Sequence, residues 1–326
     1  MILIDSIKKT LRNNRHRFPV FLYNLREYPS RLRHLLFRTH PLTPRSKNIS
    51  PFFIIGCGRS GSTLLRSILT AHTKIAIPPE SYVLQAVYRK FHLYRFMPWE
   101  DLVRMIVAVF QSHKEFYTWQ IDLTPLYQTL FKLEKNKRSL AGILDEIYTY
   151  YSREKYPGAE IWGDKTPLNT LYLPWISKIF PRAKYIHIIR DGRDVVASYL
   201  KAGLIDNIED ACFRWNESIR IALKFSRSRS AAQYMDLSYE DMVNHPEEQI
   251  KRICGFLQVD YEAGMLERGK NTALGDVENL SHHGNVLKPI SGESIGKWKT
   301  QFSPEEQKKV SRLLQRNLIR LRYLKE

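Results

Sequence analysis

Cysteine is scarce in this chain. The 326 residues include three cysteines, Cys57, Cys212 and Cys254, and these lie far apart. Three scattered thiols do not make the disulfide framework of a small secreted domain, and they lack the spacing of a zinc site. Clustered carboxylates or histidines that could bind a metal are also missing from the pattern. We therefore expect no metal cofactor and a reducing compartment, which predicts a cytoplasmic location.

Long hydrophobic runs are missing as well. No stretch approaches the roughly 18 consecutive apolar residues of a membrane-spanning helix. The chain opens with Met1-Ile2-Leu3-Ile4-Asp5, which lacks the basic and then apolar layout of a signal peptide. We expect neither a transmembrane span nor a signal peptide.

Acidic residues are few relative to basic ones. The chain has 33 Asp and Glu against 51 Lys and Arg, a formal net charge of +18. This excess favours anionic partners such as nucleotides, acidic peptides, glycans, nucleic acid or a membrane surface. Residues 1–50 hold eleven Lys or Arg and two acidic residues, which gives +9, half of the total. Because apolar residues are interleaved with these cations, residues 1–50 are predicted to be a basic amphipathic arm. The arm either contacts an anionic membrane or acidic partner peripherally, or packs its apolar side on the domain.

A buried strand, a glycine-rich turn and a helix are predicted over residues 51–66. The run Phe52–Ile55 is apolar throughout, as in a parallel strand buried on both faces. Apolar residues then recur at helical spacing over residues 64–69. Backbone N–H groups of such a turn, together with the positive end of the helix, form an anion site. The glycines that permit the tight turn are Gly56, Gly58 and Gly61.

This turn departs from the common nucleotide-binding loop at one position. The spacing of Gly56 and Gly61 matches the start of G-x-x-x-x-G-K-[ST], but Ser62 stands where the Lys belongs, and Thr63 follows. The cation of the turn is Arg59, whose guanidinium can bind phosphate or sulfate oxygens with two hydrogen bonds. The pattern favours an anion loop that does not use the Lys and Mg²⁺ arrangement. An ordinary strand-to-helix turn without a ligand is the alternative.

Polar residues follow three other predicted strands. Glu80 comes after a short strand near residues 74–77, at the end where α/β proteins place ligand groups. Lys165 and Arg190 follow two further strands, and Ser198 lies about two helical turns after Arg190. Alternatively, Lys165 is a solvated loop residue. For Arg190 the alternative is a surface network in which Arg190 and Arg193 pair with Asp191 and Asp194.

The order of elements indicates one α/β domain over residues 51–326. Strands alternate with helices, which is typical of a mainly parallel sheet flanked by helices in a three-layer, P-loop-like fold. Residues 83–151 are predicted to be a helical insertion that either shapes an acceptor cleft or is purely structural. A helix is predicted near residues 169–180. A last helix begins at Ser303, where a capping box with Glu306 precedes an apolar face.

Together these motifs resemble the sulfotransferases that use 3′-phosphoadenosine-5′-phosphosulfate (PAPS), over about residues 51–302. The tyrosylprotein and bacterial branch is the most similar. The resemblance implies that the loop holds the 5′-phosphosulfate, that the segment after Ile189 holds the 3′-phosphate, and that a late segment closes over the nucleotide. The residues that it implies for donor binding are Gly58, Arg59, Ser60, Gly61, Ser62, Thr63, Arg190, Ser198, Tyr239, Lys297 and Trp298.

The resemblance also implies three catalytic residues. In the tyrosylprotein branch, a Glu follows the loop Arg by the same 21 residues that separate Arg59 from Glu80. Its Lys, in a Gly-x-Lys-x-Pro segment, corresponds to Lys165. Glu80 is thus implied as general base, with Arg59 and Lys165 stabilising the transferred group. A serine of that branch falls near Ser281 or His282, and we expect no transmembrane anchor like that of the Golgi enzymes.

The leading hypothesis is a sulfotransferase that moves a sulfuryl group from PAPS to a hydroxyl of a carbohydrate, a lipid or tyrosine. It needs no metal, and no nucleic-acid partner is expected. A nucleotide kinase or NTPase is the first alternative, disfavoured by Ser62 and by the lack of an evident acidic partner for Mg²⁺. A non-catalytic basic protein at a membrane is the second, supported by the arm alone.

Overall fold

The computed structural model describes residues 39–44, 49–267 and 290–325. Most of the predicted basic arm lies outside these residues. So does most of the loop predicted over residues 271–294, including the uncertain serine position at Ser281 or His282.

Within the described residues, five parallel strands form the central sheet. In chain order they are β1 (Phe52–Ile55), β2 (Ile75–Ala76), β3 (Ile161–Asp164), β4 (Lys184–Ile189) and β5 (Tyr234–Ser238). Their order in the sheet is β2-β3-β1-β4-β5. The prediction of a mainly parallel sheet is confirmed.

Strand β1 lies in the middle of the sheet and is buried on both faces. Phe53 and Ile55 pack into the apolar cluster shared with the helical insertion. Phe52 and Ile54 point the other way, into a second cluster. This alternation explains why the strand is apolar throughout, and it produces the three layers that were predicted.

Helices cover both faces of the sheet. Within the described residues the α-helices are α1 (Ser62–Leu69), α2 (Leu84–Tyr94), α3 (Trp99–Gln111), α4 (Leu126–Phe131), α5 (Leu140–Lys155), α6 (Leu173–Ile179), α7 (Gly192–Lys201), α8 (Ile208–Ser226), α9 (Tyr239–Asn244), α10 (Pro246–Leu257), α11 (Trp298–Gln301) and α12 (Pro304–Arg320). Short 3₁₀ helices occupy Phe116–Trp119, Pro167–Tyr172, Ala263–Leu266 and Gly292–Ser294.

The segment predicted to be a helical insertion is mainly helical, since it contains α2 to α4 and most of α5. Its centre is aromatic: Trp119 packs edge-on against Tyr148, which stacks on Trp162 of β3 with ring centroids 4.2 Å apart. These contacts attach the insertion to the sheet. That the insertion also shapes an acceptor cleft stays a prediction.

The end of the predicted arm packs on the insertion. The His40 amide donates a hydrogen bond to the Arg95 carbonyl at 2.8 Å, and the carbonyls of Pro41 and Leu42 accept from the first residues of α5. Ile49 is buried in the same apolar cluster. For these residues the structure favours the packing interpretation over an exposed arm.

One helix differs from the sequence prediction. The helix expected over residues 169–180 is a 3₁₀ helix followed by α6, because Pro174 has no amide hydrogen and fits only the first turn of an α-helix. The stretch after β5 forms the short helix α9, which Ser238 caps by accepting from the Asp241 amide. The capping box predicted at Ser303 and Glu306 is confirmed.

In the part of the chain that the structure describes, no helix is both long and apolar enough to cross a membrane.

Packing in the sheet predicts the cost of one added methyl group. A Cβ at Gly163 would lie 2.4 Å from Cζ of the buried Phe52 ring. We expect Gly163→Ala to lower the free energy of unfolding by about 1–3 kcal/mol, the range for overpacking a core. The matched control is Gly255→Ala in α10, where no atom lies within 4 Å and alanine suits the helix. That variant should gain about 0.5–1 kcal/mol. Urea denaturation measures both, and equal effects would contradict the packing account.

Candidate active site

The residues singled out from the sequence meet at one edge of the sheet. The carboxyl ends of parallel strands lie on the same edge, and the loops that leave them form the ligand crevice of open α/β folds. Glu80, Lys165 and Arg190 follow β2, β3 and β4, and the anion loop (residues 56–61) follows β1. The topology therefore brings together segments that are more than a hundred residues apart in sequence.

The anion loop depends on glycine where it enters α1. Gly61 has a φ of 92°, in the left-handed region, and caps the helix. A Cβ there would lie 2.4 Å from the Tyr239 ring. Only glycine therefore fits at this position without strain or displacement of the ring, and its backbone directs the first amides of α1 toward the crevice.

Arg59 is held in place from two sides. Its Nε donates to the Ser198 hydroxyl on α7 at 3.1 Å, and its carbonyl accepts from the Arg190 guanidinium at 3.1 Å. Burial lowers the pKa of Arg59, and Arg190 lowers it further, whereas Tyr199 and Glu80 raise it. A partly desolvated cation of this kind favours an anionic ligand, which would restore the electrostatic stabilisation lost with water.

Lys165 and Glu80 form an ion pair at the same edge. The Lys165 side chain is fully buried, and its Nζ donates to Glu80 Oε1 at 2.5 Å. The same ammonium donates to the Thr63 hydroxyl on α1 at 3.2 Å. Lys165 is thus not a solvated loop residue. It joins the segment after β2 to the first turn after the anion loop.

Arg190 forms the second cationic position. Its guanidinium lies over the Tyr239 ring at 4.5 Å and donates to the Ser294 carbonyl at 2.5 Å, in addition to the Arg59 carbonyl. The buried Nε of Arg190 has no hydrogen-bond partner among the described residues. An unpaired buried N–H is costly, and a phosphate oxygen would satisfy it. We call Arg190, Ser198 and Tyr239 the Arg190 site.

The ion-pair network given as the alternative is tight at Arg193 and loose at Arg190. Arg193 pairs with Asp191 at 2.7 Å and lies over the Trp298 ring at 4.2 Å. Arg190, by comparison, makes only a long ion pair with Asp194, at 4.0 Å. Arg193 therefore holds the fold together, and Arg190 keeps bonding capacity for a ligand.

Lys297 and Trp298 lie in a segment that docks on α7. The Asp194 carboxylate accepts from the amides of Gly296 and Trp298 at 2.8 and 3.0 Å. The Trp298 ring is buried in the cluster formed by α7, α8 and α12, while Lys297 is exposed. Trp298 is hence a packing residue of this segment, and a nucleotide contact by either residue stays a prediction.

Several polar residues of the site were missed in the sequence. They are Ser81, Asp164, Thr166 and Thr170, and all four are buried. Ser81 bonds to Asp164 and Thr166, and Thr170 bonds to Gly56 at the start of the anion loop. A signal for two of them was present. Asp164 and Thr166 are polar residues on both sides of Lys165 where β3 ends, which indicates a functional rather than a packing segment.

Metal ligands do not cluster in the residues described. No group of three or more His, Cys, Asp or Glu side chains that could hold an ion occurs among residues 39–44, 49–267 and 290–325.

The chain is similar to known protein-tyrosine sulfotransferases. The chain is 27% identical over 260 residues to protein-tyrosine sulfotransferase A of Caenorhabditis elegans, covering 76% of this chain and 61% of that protein. It is 26% identical over 271 residues to human protein-tyrosine sulfotransferase 1, covering 79% and 66%. The chain thus spans about two thirds or less of the length of these two relatives.

Solved structures show the same fold. The sulfotransferase domain of the Synechococcus PCC 7002 olefin synthase superposes with a TM-score of 0.58 at 24% identity, covering 86% of this chain and 97% of that domain. The sulfotransferase domain of the curacin biosynthetic pathway gives a TM-score of 0.53 at 20% identity, covering 83% and 99%. The model of the sulfotransferase family matches residues 51–263, well over half of the chain, and the chain therefore belongs to the sulfotransferase family.

Proposed function

We propose that this protein transfers a sulfuryl group from PAPS to an acceptor hydroxyl, within one domain over residues 51–326. One observation carries the proposal: the anion loop and the Arg190 site are joined through Arg59. Arg59 contacts Ser198 through its side chain and Arg190 through its carbonyl, each at 3.1 Å. Two neighbouring cationic positions suit a donor that carries phosphate at both its 5′ and 3′ ends.

The anion loop would hold the 5′ end of the donor. The backbone of Gly58, Ser60 and Gly61 and the hydroxyls of Ser62 and Thr63 supply donors at the start of α1, where the helix dipole favours an anion. Arg59 adds a guanidinium that can bind sulfuryl oxygens. Ser62 stands where the common nucleotide-binding loop has Lys. In the proposed site, Arg59 and Lys165 supply the positive charge instead.

The Arg190 site would hold the 3′-phosphate. Arg190 has a buried Nε that lacks a partner among the described residues, and the Ser198 hydroxyl already lies at hydrogen-bond distance from Arg59. Tyr239 holds the Arg190 guanidinium from one face. Recognition of the 3′-phosphate distinguishes PAPS from ordinary adenine nucleotides. Lys297 and Trp298 belong to the segment that would cover the nucleotide.

Glu80 is the proposed general base. In the proposed step its carboxylate takes the proton of the acceptor hydroxyl while that oxygen bonds to sulfur, and the bond from sulfur to the phosphate oxygen of the donor breaks. The adenosine 3′,5′-bisphosphate leaves with the electron pair. Lys165 and Arg59 stabilise negative charge on the leaving oxygen and on the sulfuryl oxygens.

The acceptor is proposed from the relatives. Because the similar curated proteins are protein-tyrosine sulfotransferases, we propose tyrosine in an acidic peptide as the first acceptor to test. Carbohydrate and lipid hydroxyls are the other members of the panel.

Replacement of the proposed base tests the chemistry. We expect Glu80→Gln to lower kcat for transfer of radiolabelled sulfate from PAPS by about 10²-fold or more, the scale for loss of a general base. The affinity for adenosine 3′,5′-bisphosphate should stay within about twofold, since Glu80 does not hold the donor. Glu160→Gln is the control, because Glu160 pairs with Lys74 on the surface. Unchanged turnover in Glu80→Gln would remove Glu80 from the role.

Replacement of Arg190 tests the 3′-phosphate site. Arg190→Lys keeps the charge but loses the forked donors, so we expect at least about tenfold weaker binding of adenosine 3′,5′-bisphosphate, as for loss of one charge-assisted hydrogen bond. Binding of adenosine 5′-phosphate, which lacks the 3′ group, should hardly change. Titration calorimetry measures both, with Arg220→Lys on the surface of α8 as control. Equal losses for the two nucleotides would place the 3′-phosphate elsewhere.

The basic arm carries a separate proposal. With +9 on residues 1–50, we propose peripheral contact with an anionic membrane, although the last residues of that stretch pack on the insertion. The full chain should sediment with vesicles containing phosphatidylserine and not with neutral vesicles, and salt should release it. Binding that is equal for both vesicles, or absent from both, contradicts the membrane contact.

A further inference from the structure

The residue after Glu80 is hydrogen-bonded to both neighbours of Lys165. The Ser81 amide donates to the Thr166 hydroxyl at 3.0 Å, and the Ser81 hydroxyl donates to Asp164 Oδ2 at 3.0 Å. All three side chains are buried. The Glu80–Lys165 ion pair is therefore fixed by the residues beside it as well as by its own contact. We call Ser81, Asp164 and Thr166 the Ser81 clamp.

Both carboxylate oxygens of Asp164 accept hydrogen bonds. Tyr148 of α5 donates to the same Oδ2 at 2.5 Å, and Asn169 donates to Oδ1 at 2.7 Å. Burial raises the pKa of the Asp164 carboxyl, and hydrogen bonds from Tyr148, Thr166 and Ser81 act in the opposite direction. Its carboxylate is thus a fixed acceptor that ties the helical insertion to the strand end before Lys165.

The same segment also holds the anion loop. The Thr170 hydroxyl accepts from the Gly56 amide at 2.8 Å and donates to the Gly56 carbonyl at 2.9 Å. Gly56 is where the loop leaves β1. Residues 164–170 therefore contact the segment that carries Glu80 at one end and the start of the anion loop at the other.

We propose that residues 164–170 position the two halves of the site separately: the Ser81 clamp aligns Glu80 with Lys165, and Thr170 aligns the anion loop. This inference rests on the proposed sulfuryl transfer. Asp164, Thr166 and Thr170 touch neither reacting group in this arrangement and are positioning residues. Small displacements of reacting groups lower the reaction rate steeply, since a shift of about 1 Å can reduce it by about 10²-fold.

Replacing the two threonines should have different effects, one on kcat and the other on donor binding. Thr166→Val keeps the shape but leaves the Ser81 amide without its acceptor. We expect kcat to fall by about 10- to 100-fold, with adenosine 3′,5′-bisphosphate affinity within about twofold. Thr170→Val should instead weaken bisphosphate binding by about tenfold, the scale of a lost buried hydrogen-bonded group. Thr166→Ser retains the hydroxyl and should restore kcat.

Two controls separate positioning from stability. Ser152→Ala removes a buried hydroxyl that bonds the Tyr148 carbonyl on α5, so it should lower stability and leave kcat unchanged. In a Glu80→Gln background, Thr166→Val should produce little further loss, because the group that it aligns is already absent. Additive losses in that background, or equal loss of kcat and affinity in both threonine variants, would overturn the proposal.

A readout that does not require turnover completes the test. Lys165 is fully buried and Lys178 is exposed. An amine-acylating reagent with peptide mass spectrometry should therefore label Lys178 rapidly and Lys165 slowly. Thr166→Val should increase Lys165 labelling by several-fold, and Thr166→Ser should not. If the wild-type chain transfers no sulfate, the proposed function fails and the labelling decides the clamp alone. If Lys165 is labelled in Thr166→Val at the same rate as in the wild type, the proposed role of the Ser81 clamp is wrong.

Discussion

A buried lysine sets the main constraint on this site. The Lys165 ammonium has no access to water, and an unpaired charge in that position would be strongly destabilising. It is compensated by Glu80 at 2.5 Å and by the Thr63 hydroxyl at 3.2 Å. These partners come from different segments, so the folded chain must bring the ends of β2 and β3 and the start of α1 together. The requirement of one charge thereby organises three elements around the proposed transfer centre.

Arg59 and Arg190 form the second cationic region of the crevice. Arg59 and Arg190 are linked by a carbonyl contact and share the crevice, although like charges repel. Their proximity makes sense if a ligand with two anionic groups lies between the anion loop and the Arg190 site. Arg193, by contrast, is neutralised by Asp191. The chain thus separates cations that support the fold from cations that keep bonding capacity.

Much of this arrangement could be predicted from the sequence, because it depends on strong local signals. The run Phe52–Ile55 indicates a doubly buried strand, and polar residues directly after strands indicate a ligand edge. What the sequence could not supply is the long-range bonding. The contact of Ser81 with Asp164 and Thr166 spans more than eighty residues, and no local periodicity encodes it. Trp298 is a second case: the sequence could not show that its ring packs under Arg193, and the nucleotide contact that its motif predicts stays a prediction.

The central claim is that one donor spans the anion loop and the Arg190 site. A crystal structure of the full chain with adenosine 3′,5′-bisphosphate tests it most directly. The account predicts the 5′-phosphate at the amides of residues 60–63 and the 3′-phosphate on Arg190 and Ser198, with its oxygen at the Nε that lacks a partner among the described residues. A bisphosphate bound elsewhere, or with its 3′-phosphate directed to solvent, would contradict the account.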